Sequence, residues 1–492
     1  MLNDSQYYFQ NDYYLGDHIK PGILSAQYVV PADENTNTSN VNMSPAMVTL
    51  LVAVWFVMSL FGVLIIKTTG NIVVGGALIG IPTLINIILR PSFGLSLMLL
   101  VLASGTAIAV PGILTLNKGI GFVLVICFLL NILVSRPNLH LNYPPVLLSI
   151  ALFGWMIFSI LVNLDYNTSG QIFTKIQFIG LVLVVYLIII TNPAKSFLWV
   201  LRSYFIGTAA TVILSFFTGV TQRSSYRFAA TAGGEINENL FSVLIALAMI
   251  TAVYLLMIDR HLFIRILYFL GILFFIVMIF KSGSRGTLLA TLLTFFFIFF
   301  RKAAIKNFKQ SVLILILFTL FVGTGWFLIK TRRIHETVSE RITDVNKSRE
   351  SIASRMEFNI AAIEVAFRDI TGTGLFGWFE ETSVARYPHN DTLFSIGIYG
   401  LPAGVLFVSF LGYLYFLIRK VPDGPEKIFA LSVFIFLVLI GLKGMYLTQK
   451  VYWIFITIVI ALTKKTEQWV DTQGYYQQNF STDDYTDFKD NL

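Results

Sequence analysis

The sequence has few charged residues for its length and almost no cysteine. Charged side chains make up 13% of its 492 residues, and Cys127 is the single cysteine. One cysteine cannot form an internal disulfide, and no cysteine and histidine cluster has the spacing of a metal site. A GxxxxGK[ST] phosphate loop is also missing, which argues against ATP as a substrate. We therefore expect neither a metal nor a nucleotide cofactor.

Apolar residues dominate the chain instead. They make up 56% of it, and the mean hydropathy is +0.75, which is more apolar surface than a soluble fold can bury. Apolar runs of about twenty residues recur and match the hydrocarbon thickness of a bilayer. A β-barrel would show short alternating segments. The sequence predicts an all-α, polytopic membrane helix bundle with about 12–14 transmembrane helices.

The polarity of the chain divides it into three regions. Residues 1–45 form a polar tail that lacks the basic start and apolar centre of a cleaved signal peptide. Residues 46–465 form the membrane domain, which is interrupted by a long polar loop over 330–391. Residues 466–492 form a second polar tail.

Lysine and arginine predict how the bundle is oriented. Alternate loops, including the cluster at 301–309 and Lys464-Lys465, carry more of these residues than the opposite loops. The richer set is predicted to be cytoplasmic. Both tails are then cytoplasmic, and the 330–391 loop is extracytoplasmic. Segment 221–227, the turn at 282–286 and His389 fall on the same outer face.

Arg285 is a candidate anion-binding residue. It lies in Lys281-Ser-Gly-Ser-Arg-Gly286, between two predicted spans. A guanidinium donates paired hydrogen bonds to phosphate oxygens, and Gly283 and Gly286 let the backbone approach a ligand closely. A helix starting at Gly286 would add N–H groups. The alternative is an arginine that only reaches lipid headgroups.

Arg223 and Arg227 also run against the positive-inside bias. They fit either an anionic substrate or lipid headgroups. Asn237 and Asn239 follow them and are suited either to orienting sugar hydroxyls or to capping the next helix.

His389 is a candidate general base, since imidazole accepts a proton near neutral pH. It stands where the outer loop returns to the membrane, although a lone histidine is often structural. Asp391 can orient this histidine, or it can act only as a helix N-terminal residue favoured by the dipole.

Residues 351–368 have the spacing of an amphipathic helix, with Ile352, Met356, Ile360, Ile363 and Phe367 on one stripe. Such a helix can lie on the membrane surface or cap the bundle. It can also roof a cavity and direct Arg355 inward.

Gly372-Thr-Gly374-Leu-Phe-Gly377 spells GxGxxG but follows a helix rather than a strand. This context argues against a dinucleotide site. It favours a turn at which the backbone approaches a ligand or a neighbouring helix.

Taken in order, these motifs resemble those of the O-antigen ligase and Wzy-type polymerase superfamily of bacterial envelope glycosyltransferases, over roughly residues 200–415. The motifs in chain order are the outer arginine pair, Asn237-x-Asn239, Ser284-Arg285-Gly286, Ser354-Arg355, Gly372-x-Gly374 and His389-Asn390-x-x-Leu393.

The resemblance implies a GT-C-like fold with one helical extracytoplasmic loop, in the bacterial cytoplasmic membrane. The donor would be a glycan on undecaprenyl pyrophosphate, and the acceptor a lipid-linked repeat or the lipid A–core saccharide, with no nucleic acid involved. It assigns His389 and Arg285 to catalysis. The implied substrate-binding residues are Arg223, Arg227, Arg355, Asn237, Asn239, Asn390 and Asp391.

The resemblance leaves the acceptor open. Tyr387 stands where some ligases have a second histidine, which favours a polymerase for O-antigen, capsule or exopolysaccharide over an O-antigen ligase or a protein O-oligosaccharyltransferase. A transporter or flippase for the same glycans is a further alternative, as is a sensor or scaffold that binds a partner through the outer loop.

Overall fold

The structure is a computed structural model, and it describes most of the membrane domain. The described residues are 45–103, 116–135, 141–163, 168–191, 194–217, 238–299, 345–382, 384 and 386–479, together with isolated positions between 312 and 330. Within these ranges the regular structure is entirely helical, and they contain no strand. The predicted all-α class is confirmed.

The helices number sixteen within the described ranges. In chain order they are α1 Pro45–Thr69, α2 Ile72–Leu89, α3 Pro91–Leu100, α4 Leu116–Ser135, α5 Pro144–Asn163, α6 Thr168–Thr191, α7 Ala194–Phe217, α8 Glu238–Ile258, α9 Leu262–Ser282, α10 Arg285–Phe299, α11 Val345–Arg368, α12 Gly374–Thr382, α13 Asp391–Tyr399, α14 Leu401–Lys420, α15 Pro425–Gly441 and α16 Lys450–Asn479.

Several of these helices have the length and composition of membrane spans. Among the described residues six meet both criteria, in α5, α6, α7, α8, α9 and α14, and shorter apolar helices include α3 and α10. The prediction of a multi-pass membrane protein is therefore supported. The count of 12–14 spans and the GT-C-like arrangement stay predictions.

The centre of the bundle is α8. Every residue from Phe241 to Leu256 is buried, as are residues 425–434 of α15 and 451–463 of α16. A helix that is apolar all round must be enclosed by other helices. The α8 helix accordingly packs on α7, α9 and α15, while α16 packs on α6 and α15.

Two polar contacts join helix ends that the charge pattern assigns to the cytoplasm. At the end assigned to the cytoplasm, Arg202 pairs with Asp259 at 2.8 Å. Lys465 Nζ donates to the carbonyl of Ile189 there at 3.1 Å. The residues of both contacts belong to helix ends that are predicted to lie at the same, cytoplasmic face. Which face is outermost stays a prediction.

Apolar runs in the sequence predict one span at 93–115 and one at 392–418. These two spans and the predicted start of the C-terminal tail differ from the structure. The apolar run at 392–418 is two helices, α13 and α14, because the chain turns at Gly400 with φ 87°. In the predicted span at 93–115, α3 ends at Leu100 and a turn follows at 101–103, while 104–115 lie outside the described residues. The α16 helix continues past Lys465 into the predicted C-terminal tail.

The GxGxxG segment begins in a tight turn after α11, as the sequence predicts, and continues into α12 from Gly374. Gly372 and Gly374 have φ of 80° and 73°, values that favour glycine. A Cβ on Gly372 would lie 2.6 Å from the carbonyl oxygen of Ile398, and one on Gly400 would overlap the carbonyl oxygen of Ile370. The two glycines therefore let the start of α12 approach the junction of α13 and α14.

A row of donors on α5 holds this turn. Trp155, Ser159 and Asn163 are spaced four residues apart, so they lie along one helix face. Each donates to a backbone carbonyl of the adjoining loops. The acceptors are Tyr399 at 2.8 Å, Thr371 at 2.7 Å and Gly372 at 2.9 Å, respectively. This polar row fixes the segments that lead out of α11 and into α14.

The helix predicted over 351–368 is confirmed as part of α11, but its predicted apolar stripe is not the face that packs on the bundle. Phe358, Ala362, Val365 and Ala366 are buried on the face that packs against α13. The opposite stripe of Met356, Ile360, Ile363 and Phe367 is exposed, Phe367 by 85%. The side chain of Ile352 lies outside the described residues.

Candidate functional site

The Arg285 turn connects α9 to α10. Gly283 ends α9 in the left-handed conformation, with φ 62° and ψ 19°. The N–H of Ser284 then donates to the Ser282 hydroxyl at 3.3 Å, and α10 begins at Arg285. The predicted helix start is correct to one residue. The positive end of the α10 dipole therefore lies beside the Arg285 guanidinium, an arrangement that favours an anion.

Lys443 lies across this turn. It belongs to the segment 442–449 between α15 and α16, and its Nζ donates to the Ser284 hydroxyl at 3.3 Å. Its methylene groups occupy the space above Gly286, where a Cβ would overlap them. Lys443 lies in a loop predicted to be extracytoplasmic, and no sequence motif singled it out. The signal that marked Arg223 and Arg227, a cation opposed to the positive-inside bias, also applied to it.

Buried hydroxyls connect Lys443 to the start of α8. The Ser284 and Thr287 hydroxyls are 3.0 Å apart, and those of Thr287 and Ser242 are 2.7 Å apart. The Ser242 hydroxyl donates to the backbone carbonyl of Asn239 at 2.7 Å. These contacts fix the Arg285 turn against α8. They place Asn239, predicted to bind substrate, at the other end of the chain of hydroxyls.

His389 lies just before α13 and faces α11. Its half-buried ring is edge-on to Phe358, with 6.3 Å between centroids and 82° between planes. Within the described part of the chain, no hydrogen bond reaches the imidazole. Asn390 caps α13, because its Oδ1 accepts from the N–H groups of Thr392 at 2.9 Å and Leu393 at 3.1 Å. The Oδ1 of Asn390, a residue predicted to bind substrate, therefore caps α13 in this structure.

Asp391 does not orient His389 in this structure. Its Oδ1 accepts the N–H of Leu447 at 2.8 Å, so the carboxyl anchors the 442–449 segment. Its Oδ2 has no hydrogen-bond partner among the described residues and packs against Gly441. The side chain is buried, and this burial raises the pKa of Asp391 well above its usual value, although the N–H groups of Leu447 and Tyr446 oppose the rise. Of the two predicted roles of Asp391, orientation of His389 is not seen, whereas a position in the first turn of a helix, α13, is.

Several cations surround the imidazole. Burial lowers the pKa of His389, and the charges of Arg355, Arg386 and Lys443 lower it further. Burial, followed by the charge of Arg285, also lowers the pKa of Arg355. Arginine nonetheless stays protonated. The neutral imidazole is therefore favoured at neutral pH, and it can accept a proton. A bound anion would relieve the mutual repulsion of these cations.

The structure brings together some of the predicted site residues. Arg285, Arg355 and His389 converge at one end of the bundle, joined by Lys443, and the Asn239 backbone connects to them through hydroxyls. Arg223, Arg227 and Asn237 lie outside the described residues, so their predicted roles stay predictions. No group of three or more His, Cys, Asp or Glu suited to a metal occurs in the described ranges.

No protein-family model matches this chain, and no curated protein matches it.

Proposed function

We propose that this protein is a bacterial membrane glycosyltransferase that acts on undecaprenyl-pyrophosphate-linked oligosaccharide. It would work at the outer face of the cytoplasmic membrane, with both termini cytoplasmic. The observation that carries the proposal is the half-buried His389, whose pKa is lowered by burial and by the charges of Arg355, Arg386 and Lys443. Arg285 is close enough to Arg355 to lower its pKa as well. One group there can accept a proton, and several can hold a diphosphate.

The reaction follows from these roles. The oxygen of an acceptor hydroxyl attacks the anomeric carbon of the donor sugar while His389 takes the hydroxyl proton. The bond from that carbon to the pyrophosphate oxygen breaks, and the pyrophosphate leaves with the bonding electrons. One displacement inverts the anomeric centre. Stabilisation of the leaving charge by an oriented donor is worth about 3–4 kcal/mol, and a general base contributes roughly 10²–10⁴-fold.

The acceptor defines the subclass. A second lipid-linked repeat would make the protein a polymerase, which the single histidine of the Tyr387-Pro388-His389 segment favours. Lipid A–core would make it an O-antigen ligase, and a protein hydroxyl would make it an O-oligosaccharyltransferase. No metal or other cofactor enters the proposal.

A transporter of the same lipid-linked glycans is the second candidate. Lys175 favours it, because this lysine is buried within α6, with its Nζ 4.7 Å from the ring centroid of Tyr399. Buried ionisable residues inside membrane helices often mark translocation paths. The cations at one end of the bundle favour the transferase.

The test uses the full-length protein in nanodiscs with undecaprenyl-pyrophosphate-linked oligosaccharide as the only substrate. We expect longer lipid-linked glycans from the wild type and none from His389→Ala. His261→Ala is the matched control, because His261 is exposed beside α9, in the connection predicted to be cytoplasmic. Transfer only after lipid A–core or protein is added would indicate a ligase. Relocation of the glycan without bond formation would refute the transferase in favour of the transporter.

A further inference from the structure

The side chain of Lys443 is held in place at the candidate site. Its Nζ donates to Ser284 at 3.3 Å, and Ser284 in turn is held by Thr287 at 3.0 Å. Its methylene groups lie across Gly286, where any other residue would place a Cβ in the same space. Contacts hold both the methylene groups and the Nζ of this lysine, so less side-chain entropy is lost when it binds a ligand.

The backbone that carries Lys443 is anchored as well. The N–H of Leu447 donates to Asp391 at 2.8 Å, and the indole of Trp453 donates to the Leu447 carbonyl at 2.7 Å. Asp391 lies two residues after His389. The same carboxyl therefore ties the lysine segment to the segment of the candidate base.

The charges around this lysine favour an anion. Lys443 and Arg355 both act electrostatically on His389, and Arg285 acts on Arg355. Like charges held near one another in a half-buried site repel, and the repulsion is relieved when a phosphate or pyrophosphate binds among them. Ammonium and guanidinium groups both donate charge-assisted hydrogen bonds to such oxygens.

We propose that Lys443 is a further anion-binding residue, which contacts a phosphoryl oxygen of the donor diphosphate beside Arg285. This inference rests on the proposed function. It also changes the interpretation of Gly286. The glycine does not bring its own backbone against the ligand, because the lysine stem fills that space. Its missing side chain lets Lys443 cross the first turn of α10.

The experiment measures pyrophosphate binding by isothermal titration with purified full-length protein in nanodiscs. Lys443→Gln removes the charge, Lys443→Arg keeps it, and Gly286→Ala displaces the lysine without changing any charge. Lys464→Gln and Gly180→Ala are the matched controls. Lys464 pairs with Glu467 at the other end of the bundle, and a Cβ on Gly180 meets nothing within 4 Å.

We expect Lys443→Gln to weaken pyrophosphate binding about tenfold or more, as the loss of a charge-assisted hydrogen bond implies. Gly286→Ala should weaken it in the same direction, and Lys443→Arg should retain most of it. The two controls should bind like the wild type. Because Gly286→Ala keeps every charge, its effect separates placement of the lysine from a general loss of positive potential.

Other outcomes would overturn the inference. Equal affinity in Lys443→Gln and the wild type, with glycan transfer intact, would refute the role of Lys443 and leave the proposed function standing. A wild type that binds no pyrophosphate and transfers no glycan would refute both. A binding loss that appears in phosphatidylglycerol nanodiscs but not in phosphatidylcholine nanodiscs would assign the lysine to lipid headgroups instead.

Discussion

The polar row on α5 should determine how firmly the outer segments are held. Ser159 is fully buried, and its hydroxyl donates to the carbonyl of Thr371 at 2.7 Å, in the turn that follows α11. Ser159→Ala removes this donor and leaves the carbonyl without it. The loss of one such partner typically costs about 1–3 kcal/mol. We expect the free energy of unfolding to fall by that amount.

Ser149→Ala is the matched control, because it makes the same change on the same helix. Ser149 is also fully buried, but its hydroxyl donates to Val146 within its own turn at 2.7 Å. A bond of this kind adds little to helix stability, so we expect a change within about 0.5 kcal/mol.

The assay is reversible denaturation in detergent, combined with hydrogen exchange of the backbone amides at 371–373. Ser159→Ala should lower both the unfolding free energy and the protection of these amides, while protection in α8 stays unchanged. If Ser159→Ala and Ser149→Ala give equal effects by both measurements, the polar row does not hold the turn.

Three further predictions concern the site and its glycine turn. Arg355→Gln should shift the acid limb of the pH–kcat/KM profile to higher pH. Arg355 lowers the pKa of His389, so its removal lets the histidine become protonated, and inactive as a base, at a higher pH. An unchanged acid limb would exclude this coupling. Gly400→Ala should destabilise the protein by at least about 2 kcal/mol in the same denaturation assay, given its φ of 87° and its backbone contact, whereas Gly412→Ala, which meets nothing within 4 Å, should not. Because burial raises the pKa of Asp391, the wild type should lose stability as the pH rises from the usual aspartate value through the raised one, and Asp391→Asn should abolish this dependence in melting curves.

The spacing of apolar residues and glycines predicted the parts of the fold that are determined by residues close together in the sequence. The helices, the start of α10 near Arg285 and the stripe of α11 follow from apolar spacing and from glycine. The break between α13 and α14 was missed because residues on both sides of Gly400 are apolar. The break is marked by the positive φ of Gly400 and by Pro402 in the first turn of α14.

The candidate site was only partly predictable, since its remaining contacts join distant residues. Lys443 and Ser284 are 159 positions apart, and Asp391 and Leu447 are 56 apart. No periodicity links such pairs. A short-range interpretation assigned Asp391 to its neighbour His389, whereas in the fold its carboxyl faces a different loop.

The break at Gly400 has a consequence for how this part of the chain enters the membrane. Helix α13 has nine residues from Asp391 to Tyr399, which span about 14 Å at 1.5 Å per residue, against a hydrocarbon thickness of about 30 Å. In the proposed topology α13 therefore enters the bilayer only part of the way before the chain turns into α14. Non-helical backbone at membrane depth is stable only where protein encloses it. The buried Tyr399 and its carbonyl, which accepts the Trp155 indole N–H at 2.8 Å, provide that enclosure, so α13 is a half-spanning helix held by protein rather than by lipid.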